Sequence, residues 1–499
     1  MELGDPHRIP VIVGTGQIND RPFKGADGLN PVQLIEAAAR KACDDAGVDI
    51  LAHTDWMGLI NQIGFGEFDG KLAEAVTEKL GLTPKFARET PSPTGDSPIL
   101  LLNEAANAIG RGEASVALIG GAEALRTAAM RRKEAEASGD TGPYPKRMPV
   151  DPEPRHTYGL NTPTDVYPLF ENAARASYGQ TLEEAQAESG KLWAGMSRVA
   201  AKTPGAWIRD KRSAQDIIDI TADNRPIAFP YTKFQVANAA VNQGAALLVT
   251  SLAVAREAGI AEERLIYIGR GAAAHEAEDP LMRPEYASSA SMEISLTRAL
   301  ALNSLSVDDV DHWELYSCFP IVPKMARRIL GLSDDTQITQ FGGLTFGGGP
   351  IGNYMTHAAA CMVDVLREKG THGILFANGG YATHNHTILL TKTPQPEGIF
   401  PHDFDFQKQA DEARGEVPAM DLNYAGSATL QTYTVLFARD GTPKMGVVVA
   451  QTDSGTRTLA QVPPDDASAI ERLLSGDPTL TGTTGSIAKD GDRNRWRFD

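Results

Sequence analysis

Several side chains capable of proton transfer occur in the second half of the chain. Tyr316, Ser317 and Cys318 are consecutive, and His384 and His386 alternate along a predicted strand. Alternating strand residues share one face of a sheet, so the two imidazoles should lie side by side. Phenol, hydroxyl, thiol and imidazole groups can donate or accept protons during a reaction. We therefore predict that these five residues are catalytic.

A glycine-rich stretch lies between these two sets of residues in the sequence. Gly347–Pro350 predicts a tight turn before a helix, because proline is favoured at the first helical position. Exposed backbone N–H groups at such a turn could hold an anionic oxygen. Polar residues and glycines nearby, and at the start of an earlier helix, complete a predicted substrate-binding set: Asp96, Ser97, Gly348, Gly349, Asn353, His357, Asn378, Gly379 and Gly380.

The cysteine and histidine spacing does not indicate a metal site. The three cysteines, Cys43, Cys318 and Cys361, form no Cys-x-x-Cys pair, so neither a disulfide framework nor a zinc site is indicated. His384 and His386 could form a metal pair, but no third ligand is evident. We expect no metal and no tightly bound cofactor.

The composition limits the classes of binding partner that we expect for this protein. Acidic residues give a net charge of −17, which argues against nucleic-acid and anionic-membrane partners. The first residues lack a signal-peptide pattern, and no apolar run reaches the roughly 18 residues that a spanning helix needs. We expect a cytoplasmic protein.

A helix-strand pattern occurs twice. A predicted helix from Pro98 is followed by Gly112-Glu113, a strand and Gly120-Gly121. A second helix from Pro350 is followed by Lys369-Gly370, a strand and Gly379-Gly380. The repetition predicts two related α/β halves.

Two further regions differ from these halves. Residues 122–235 are rich in charge and proline and are predicted to be an exposed insertion; their basic clusters, Arg131–Lys133 and Lys146-Arg147, suit either solvated surface or phosphate binding. After residue 395, strand-like runs joined by Asp440-Gly441 predict a separate β domain that ends in a polar, frayed tail.

The first strand does not support dinucleotide binding. Ile9–Val13 is predicted to be a strand that ends at Gly14-Thr15-Gly16. The third glycine of the dinucleotide fingerprint is replaced by Asn19, and Pro22 interrupts the place where a helix should begin. A dinucleotide-dependent enzyme is therefore disfavoured.

Over roughly residues 8–392 the order of segments resembles the thiolase superfamily, most closely the sterol-carrier-protein-type thiolases and the bacterial acetyl-CoA-acetyltransferase-like proteins. The stretches that carry the resemblance are Gly112–Glu123, Ala237–Leu248, Trp313–Phe319, and Gly342–Leu344 followed by Gly348–Pro350. Each stretch alone is weak evidence, whereas their order along the chain is specific.

The resemblance implies an α/β thiolase fold with two βαβαβαββ halves stacked in five layers. It also implies a loop domain over coenzyme A. The β-rich segment after residue 395 resembles the OB-like partners that pair with thiolase-like aldolases, here fused to the chain. The corresponding boundaries are 1–121 with 236–265 for the first half, 122–235 for the loop domain, 266–394 for the second half and 395–499 for the β domain.

The departures from the family pattern concern its chemistry. The nucleophilic cysteine of thiolases falls at Gly95, the histidine of Gly-His-Pro at Gly349, and a second cysteine at Ala377. Tyr316 begins the motif that reads His-Asp-Cys-Phe in the family, and Cys318 retains its cysteine. Thiolysis requires an activated thiolate, so we expect this activity to be lost. Ser97 or Thr94 is a poor substitute, because the expected base position is Gly349.

The expected function is therefore that of a thiolase-like member of the acetyl-CoA acetyltransferase superfamily, in lipid metabolism, that binds coenzyme A or its thioesters. Retro-aldol or other enolate chemistry on an acyl-CoA, and non-catalytic acyl-CoA binding, remain alternatives. We favour a monomer over the family's dimer, because charged residues and Pro91 and Pro93 in residues 85–94 blunt the strand that pairs across the thiolase dimer.

Overall fold

The computed structural model describes residues 4–139 and 153–499, so Lys146 and Arg147 lie outside the described residues. The strands are β1 Pro10–Asn19, β2 Trp56–Ile60, β3 Phe86–Glu89, β4 Val116–Ala124, β5 Pro226–Ala228, β6 Tyr231–Thr232, β7 Asn242–Ser251, β8 Ile266–His275, β9 His312–Leu315, β10 His372–Gly379, β11 His384–Thr391, β12 Gly426–Phe437, β13 Pro443–Thr452, β14 Arg457–Val462, β15 Thr484–Asp490 and β16 Arg493–Phe498. The helices are α1 Pro31–Ala46, α2 Leu72–Leu80, α3 Ser97–Arg111, α4 Leu125–Ser138, α5 Pro154–Thr157, α6 Pro163–Ser177, α7 Leu182–Ala200, α8 Ala214–Ile218, α9 Leu252–Glu257, α10 Ala290–Leu302, α11 Ile321–Leu330, α12 Tyr354–Glu368, α13 Gln407–Ala413 and α14 Ala467–Leu474.

Two halves with related topology together form one nine-stranded sheet, with the strand order β3-β2-β4-β7-β1-β8-β11-β10-β9. The first five strands belong to the first half and the last four to the second half. The halves meet at β1 and β8, which pair only where Val11 faces Tyr267 and Ile12 faces Ile266. Each half has the predicted helix-strand repeat, with α3 before β4 and α12 before β10.

Helices cover the sheet of each half on its outer side and also lie between the two halves. The outer helix α1 packs on β1, β4 and β7, and α10 packs on β8 and β11. Helices α3 and α12 contact each other and strands of both halves, so they form a middle layer. The resulting order is helix, sheet, helices, sheet, helix, in agreement with the five predicted layers.

Helix α1 shows how the sequence specifies a layer. Asn30 and Gln33 form a capping box at its start, and Gly47 ends it in the left-handed conformation that glycine adopts without strain. Leu34, Ile35 and other apolar residues at helical spacing are fully buried against the first half of the sheet.

The inserted segment is more buried than the sequence suggested. Its helices α6 and α7 contribute Tyr167, Phe170 and Trp193 to the central core, and each of these side chains is at most 2% exposed. The prediction of an exposed segment was therefore wrong for α6 and α7. Their apolar residues face the second half and the C-terminal domain, which composition alone does not reveal.

A buried ion pair ties the insertion to the second half. Lys324 on α11 contacts Glu171 on α6 at 2.5 Å, and both side chains are at most 3% exposed. The Tyr231 hydroxyl donates to the other Glu171 oxygen at 2.7 Å, and Lys324 also donates to the Ala185 carbonyl. The charges are thus paired and hydrogen-bonded, as buried charges must be.

The C-terminal domain is a closed barrel. Its strands follow the order β12-β13-β14-β16-β15 and close by pairing of β15 with β12, with α14 between β14 and β15. Five strands are the number expected of an OB-like barrel, and the extra β-rich domain is confirmed. The barrel is not isolated, because β5 and β6 of the insertion extend its sheet and α6 packs on β12.

Three local predictions were wrong. The C-terminal tail is not frayed: β15 and β16 close the barrel, and Trp496 is fully buried. Strand β1 continues through its glycines to Asn19, because β7 pairs along its whole length. The second-half helix begins at Tyr354 rather than Pro350, after one short 3-10 turn.

Within residues 4–139 and 153–499, no helix is long and apolar enough to cross a membrane.

We expect Glu171→Gln or Lys324→Met alone to lower the free energy of unfolding by about 3–5 kcal/mol, because each leaves an unpaired buried charge. The double variant should lose less than the sum of the two. Urea unfolding followed by tryptophan fluorescence measures this difference. Lys191→Met is the matched control: its partner Asp335 is 90% exposed, so a loss below about 1 kcal/mol is expected. Strict additivity at Glu171 and Lys324 would contradict the coupling.

Candidate functional site

Three chain segments meet where the thiolase nucleophile would lie. Strand β9 ends directly before Tyr316, strand β10 ends with Asn378 and Gly379, and helix α3 begins just after Gly95. The Tyr316 N–H donates to the Phe376 carbonyl, which extends the contact between the ends of β9 and β10. The parallel pairing of these strands therefore brings the sequence-predicted groups to one edge of the sheet.

The space beside Gly95 is filled. A Cβ atom on this residue would lie less than 3.0 Å from both the Tyr316 hydroxyl and the Asn378 carbonyl oxygen. Side-chain atoms do not occupy such distances, so the site has no room for a cysteine at this position. Tyr316 is 5% exposed and packs edge-on against Tyr354. Tyr316 and the Asn378 carbonyl thus occupy the space that a side chain at position 95 would need.

The Cys318 thiol remains protonated at neutral pH. Burial raises its pKa to about 12, and the neighbouring Tyr167 hydroxyl offsets part of this rise. The residue as a whole is only half-buried, so part of it reaches solvent while the thiol faces the interior. A thiol in this state can donate a proton or a hydrogen bond, but it is not a thiolate nucleophile.

The insertion supplies a tyrosine that the sequence did not reveal. Tyr167 on α6 stacks on Phe319 with ring centroids 4.4 Å apart. Its hydroxyl donates to the Asn378 side-chain oxygen at 3.2 Å and accepts from the Ala382 N–H at 2.7 Å. Because α6 is distant in sequence, only tertiary packing could place this phenol at the site.

A chain of hydrogen bonds runs from Asn378 into the interior. The Asn378 amide donates to Asn385 at 2.9 Å, the Asn385 amide donates to Ser291 at 2.8 Å, and the Ser291 hydroxyl donates to Glu276 at 2.8 Å. Arg414 pairs with Glu276 at 2.9 Å. This network fixes the Asn378 side chain. Asn385 lies between the two predicted histidines, and sequence reasoning missed its role.

Behind the site, Glu314 organises the loop that contains Gly342 and Gly343. Its carboxylate accepts from the Gln340 N–H at 2.6 Å, the Tyr354 hydroxyl at 2.7 Å and the Thr339 hydroxyl at 3.0 Å. Burial raises the pKa of Glu314 to about 7, and these donors oppose the rise. Ser317, fully buried, accepts weakly from the Leu344 N–H at 3.4 Å.

The glycine-rich turn is closed rather than open to a ligand. Residues 341–350 are buried, and the Gly349 N–H already donates to the Asn238 carbonyl at 2.9 Å. Gly348 has φ +108°, and a Cβ atom there would collide with Gln243. The expectation of exposed N–H groups was therefore wrong at Gly349: chain 236–244 packs over the turn, and the Asn238 carbonyl accepts from the Gly349 N–H.

Asn353 and His357 lie between the two halves. The Asn353 amide donates to the Gly121 carbonyl at 2.5 Å. His357 stacks on Phe341 and shares a 2.8 Å hydrogen bond with Gln17, and burial lowers its pKa to about 3. Both residues thus connect the halves of the fold in this structure, and their predicted contact with a substrate stays a prediction.

The two strand histidines occupy different surroundings. His384 is half-buried, with its ring 4.6 Å from that of His275 and its Nε2 3.3 Å from Glu278. His386 is buried beside Asn103 and Phe404, and burial lowers its pKa to about 3. Within the part of the chain that the structure describes, no group of three or more His, Cys, Asp or Glu side chains is arranged to hold a metal ion.

Asp96 and Ser97 lie at the start of α3. The Ser97 hydroxyl is 2.9 Å from the Thr94 hydroxyl and accepts from the Thr94 N–H at 3.2 Å, so no base activates it among these contacts. Asp96 is 6% exposed, and its Oδ1 has no hydrogen-bond partner. Its carboxylate packs on Gly379, where a Cβ atom would lie 2.6 Å from Oδ1.

The predicted residues therefore form three groups. One group surrounds the Gly95 position and comprises Gly95, Asp96, Ser97, Tyr316, Cys318, Asn378, Gly379 and Gly380, with His384 paired opposite Gly379. Ser317, Gly348 and Gly349 lie behind it, while Asn353, His357 and His386 lie in other parts of the interior. A cavity of about 700 Å³ lies elsewhere, between α7 and residues 334–340.

Comparison with known proteins identifies the family. A monomeric SCP2-thiolase-like protein type 1 from Mycobacterium smegmatis is 30% identical over 100% of both chains, with a TM-score of 0.82. The chain belongs to this thiolase-like family. Residues 405–492 match the model of the thiolase-like protein type 1 additional C-terminal domain. The recognised resemblance, including the extra domain, is thus confirmed.

More distant structures share the fold of this thiolase-like protein. Human mitochondrial 3-ketoacyl-CoA thiolase is 15% identical over 78% of this chain and 100% of its own, with a TM-score of 0.59. The Ltp2-ChsH2(DUF35) aldolase is 19% identical over 78% of this chain and 99% of its own, with a TM-score of 0.58. No curated protein sequence matches the chain.

We expect Gly95→Cys to lower the free energy of unfolding by about 1–3 kcal/mol, because the new side chain must displace Tyr316 or the β10 backbone. Urea unfolding measures the change. Gly66→Cys is the matched control, since the nearest atom to a Cβ there is 3.7 Å away. Equal stability of the two variants would show that the space beside Gly95 is free.

Proposed function

We propose that this thiolase-like protein binds a coenzyme A thioester beside Tyr316 and Asn378 and does not catalyse thiolysis there. The absence of thiolysis is supported by the packing of Tyr316 and Asn378 into the space beside Gly95, which leaves no room for a nucleophilic side chain there. Gly349 offers no imidazole, and the Cys318 thiol stays protonated. Loss of a nucleophile alone lowers turnover by about 10⁶ in a well-studied hydrolase.

Two observations support thioester binding. A fold relative, human mitochondrial 3-ketoacyl-CoA thiolase, has been solved in complex with CoA, although at 15% identity. In the present chain the insertion reaches the same region, because Tyr167 on α6 contacts Asn378 and Gly380. Cys318, Gly380 and residues 237–240 are at least partly exposed, which gives the site a side open to solvent.

Enolate chemistry is the second candidate function. Tyr316, Tyr167 and Cys318 are proton donors at the ends of β9 and on α6, and none of these side chains is ionised at neutral pH, because burial raises the pKa of each. Such donors can stabilise an enolate oxygen without any covalent acyl-enzyme. The aldolase among the fold relatives is consistent with this chemistry.

Non-catalytic binding is the alternative: Cys318→Ala should abolish turnover but retain binding if the protein is an enzyme.

Calorimetric titration with coenzyme A, acetyl-CoA and a longer enoyl-CoA tests the proposal. We expect micromolar binding of at least one of these, and no formation of acetyl-CoA from acetoacetyl-CoA and coenzyme A above the rate without protein. Cys318→Met should weaken binding about tenfold, because the thiol faces the interior of the site beside Tyr167 and a longer side chain there takes up space that the ligand needs. Cys43→Met, at a half-buried cysteine on α1, is the matched control.

Either of two outcomes would refute the proposal. A burst of free coenzyme A with an acetylated protein would demonstrate thiolase chemistry. Absence of binding to all three compounds would show that the fold was kept while this ligand was lost.

We also propose that the protein is a monomer. Strand β3 lies at the edge of the sheet and has only four residues, and Arg88 on it pairs with Glu104 of the same chain at 3.0 Å. The relative from Mycobacterium smegmatis is described as monomeric. Short, charged edge strands oppose pairing with a second copy.

Sedimentation equilibrium at micromolar concentration should give a mass near 53.4 kDa. A mass twice as large would refute the monomer. Arg88→Val removes a charge from the edge strand β3 and should therefore increase the fraction of protein that sediments as a dimer.

A further inference from the structure

Among the carboxylate oxygens buried in residues 4–139 and 153–499, only Asp96 Oδ1 has no hydrogen-bond partner. Glu171, Glu276 and Glu314 are also buried, but each accepts from cations, hydroxyls or backbone N–H groups. An unpaired buried acceptor destabilises a fold, so its retention requires an explanation.

Asp96 does not perform the structural role that its position suggests. It is the N-cap residue of α3, and an aspartate there normally accepts a hydrogen bond from the first turn of the helix. No such bond forms, and Asp96 has helical rather than extended backbone angles. The side chain is turned to Gly379 at the end of β10, where only a residue without Cβ leaves room for Oδ1.

The carboxylate faces the same site as the proton donors. Asp96 follows Gly95, whose α-carbon packs on the Tyr316 hydroxyl. The pKa of Tyr316 is raised first by burial and then by the neighbouring Cys318 and Asp96. One unpaired acceptor and two protonated donors thus surround the position that the thiolase nucleophile would occupy.

We propose that Asp96 is the general base that removes a proton from the α-carbon of the bound acyl-CoA. This inference rests on the proposed thioester binding. The Cα–H bond breaks and its proton moves to Asp96 Oδ1. The bonding electron pair forms the carbon–carbon double bond of the enolate, and the carbonyl electron pair moves to the thioester oxygen. Cys318 and Tyr316 donate hydrogen bonds to that oxygen, and return of the proton regenerates the thioester.

The reaction needs no further reactant. The site binds a thioester that has at least one α-hydrogen, and in D₂O the protonated Asp96 exchanges its proton with solvent. Repeated enolisation therefore replaces the α-hydrogens of the acyl group by deuterium. A positioned general base typically contributes 10²–10⁴-fold to such a step.

Mass spectrometry of acetyl-CoA and hexanoyl-CoA incubated with the protein in D₂O tests the inference. We expect α-deuteration well above the rate without protein. Asp96→Asn should lower it at least about 100-fold, with the calorimetric affinity changed by less than about threefold. Tyr316→Phe should cause a smaller loss. Asp335→Asn, at a carboxylate that is 90% exposed, is the matched control and should leave the exchange unchanged.

A second variant covers the case in which Asp96→Asn does not fold. Gly379→Ala keeps the carboxylate but places a methyl group against Oδ1, so the rate of α-deuterium exchange should fall at least tenfold. A thermal unfolding transition measured on this variant confirms that it is folded. Exchange that survives either substitution, or its absence from wild-type protein that binds both thioesters, overturns the role of Asp96. Absence of binding itself overturns the proposed function as well, so the two failures are distinguishable.

Discussion

The close packing of Tyr316 against Gly95 is the contact on which the site depends. It brings the end of β9 against the start of α3, and the Asn378 carbonyl at the end of β10 closes the same space. A side chain at position 95 and a tyrosine at 316 exclude each other sterically. Glycine at position 95 and the phenol of Tyr316 therefore depend on each other in this structure. The same contact places Asp96, the next residue, beside Gly379.

Polar networks hold this contact in place from both sides. On one side Glu314 binds residues 339–341 and Tyr354, which positions the turn behind Ser317. On the other side Asn378 is fixed through Asn385 to Glu276. Nearly every buried group in these networks has a partner, as stable interiors require. Among the buried carboxylate oxygens of residues 4–139 and 153–499, Asp96 Oδ1 differs in having no partner, which is why a ligand-directed role explains it better than a structural one.

The added domains are integrated with the thiolase-like core. Helix α6 contributes Tyr167 to the site and Glu171 to the buried ion pair, and Asn172 next to them donates to the Tyr433 carbonyl in the barrel. One helix thus contacts the site, the second half and the C-terminal barrel. The barrel consequently stabilises the position of the helix that covers the site, and removal of the barrel would expose the apolar residues that it shares with α6.

The sequence by itself determined the layout of the two halves, the extra β domain and the absence of a thiol at Gly95, because periodicity, turn residues and residue identity are local properties. It also led to the prediction of Tyr316, Cys318 and Asn378 as site residues, which lie at or just after the ends of the neighbouring strands β9 and β10. Only the tertiary structure decided that Tyr316 fills the Gly95 space, that Tyr167 reaches the site, and that Gly349 has no free N–H. It likewise placed the C-terminal residues in a closed barrel. These features arise from contacts between segments far apart in the chain, and local sequence patterns do not encode which distant surfaces will meet.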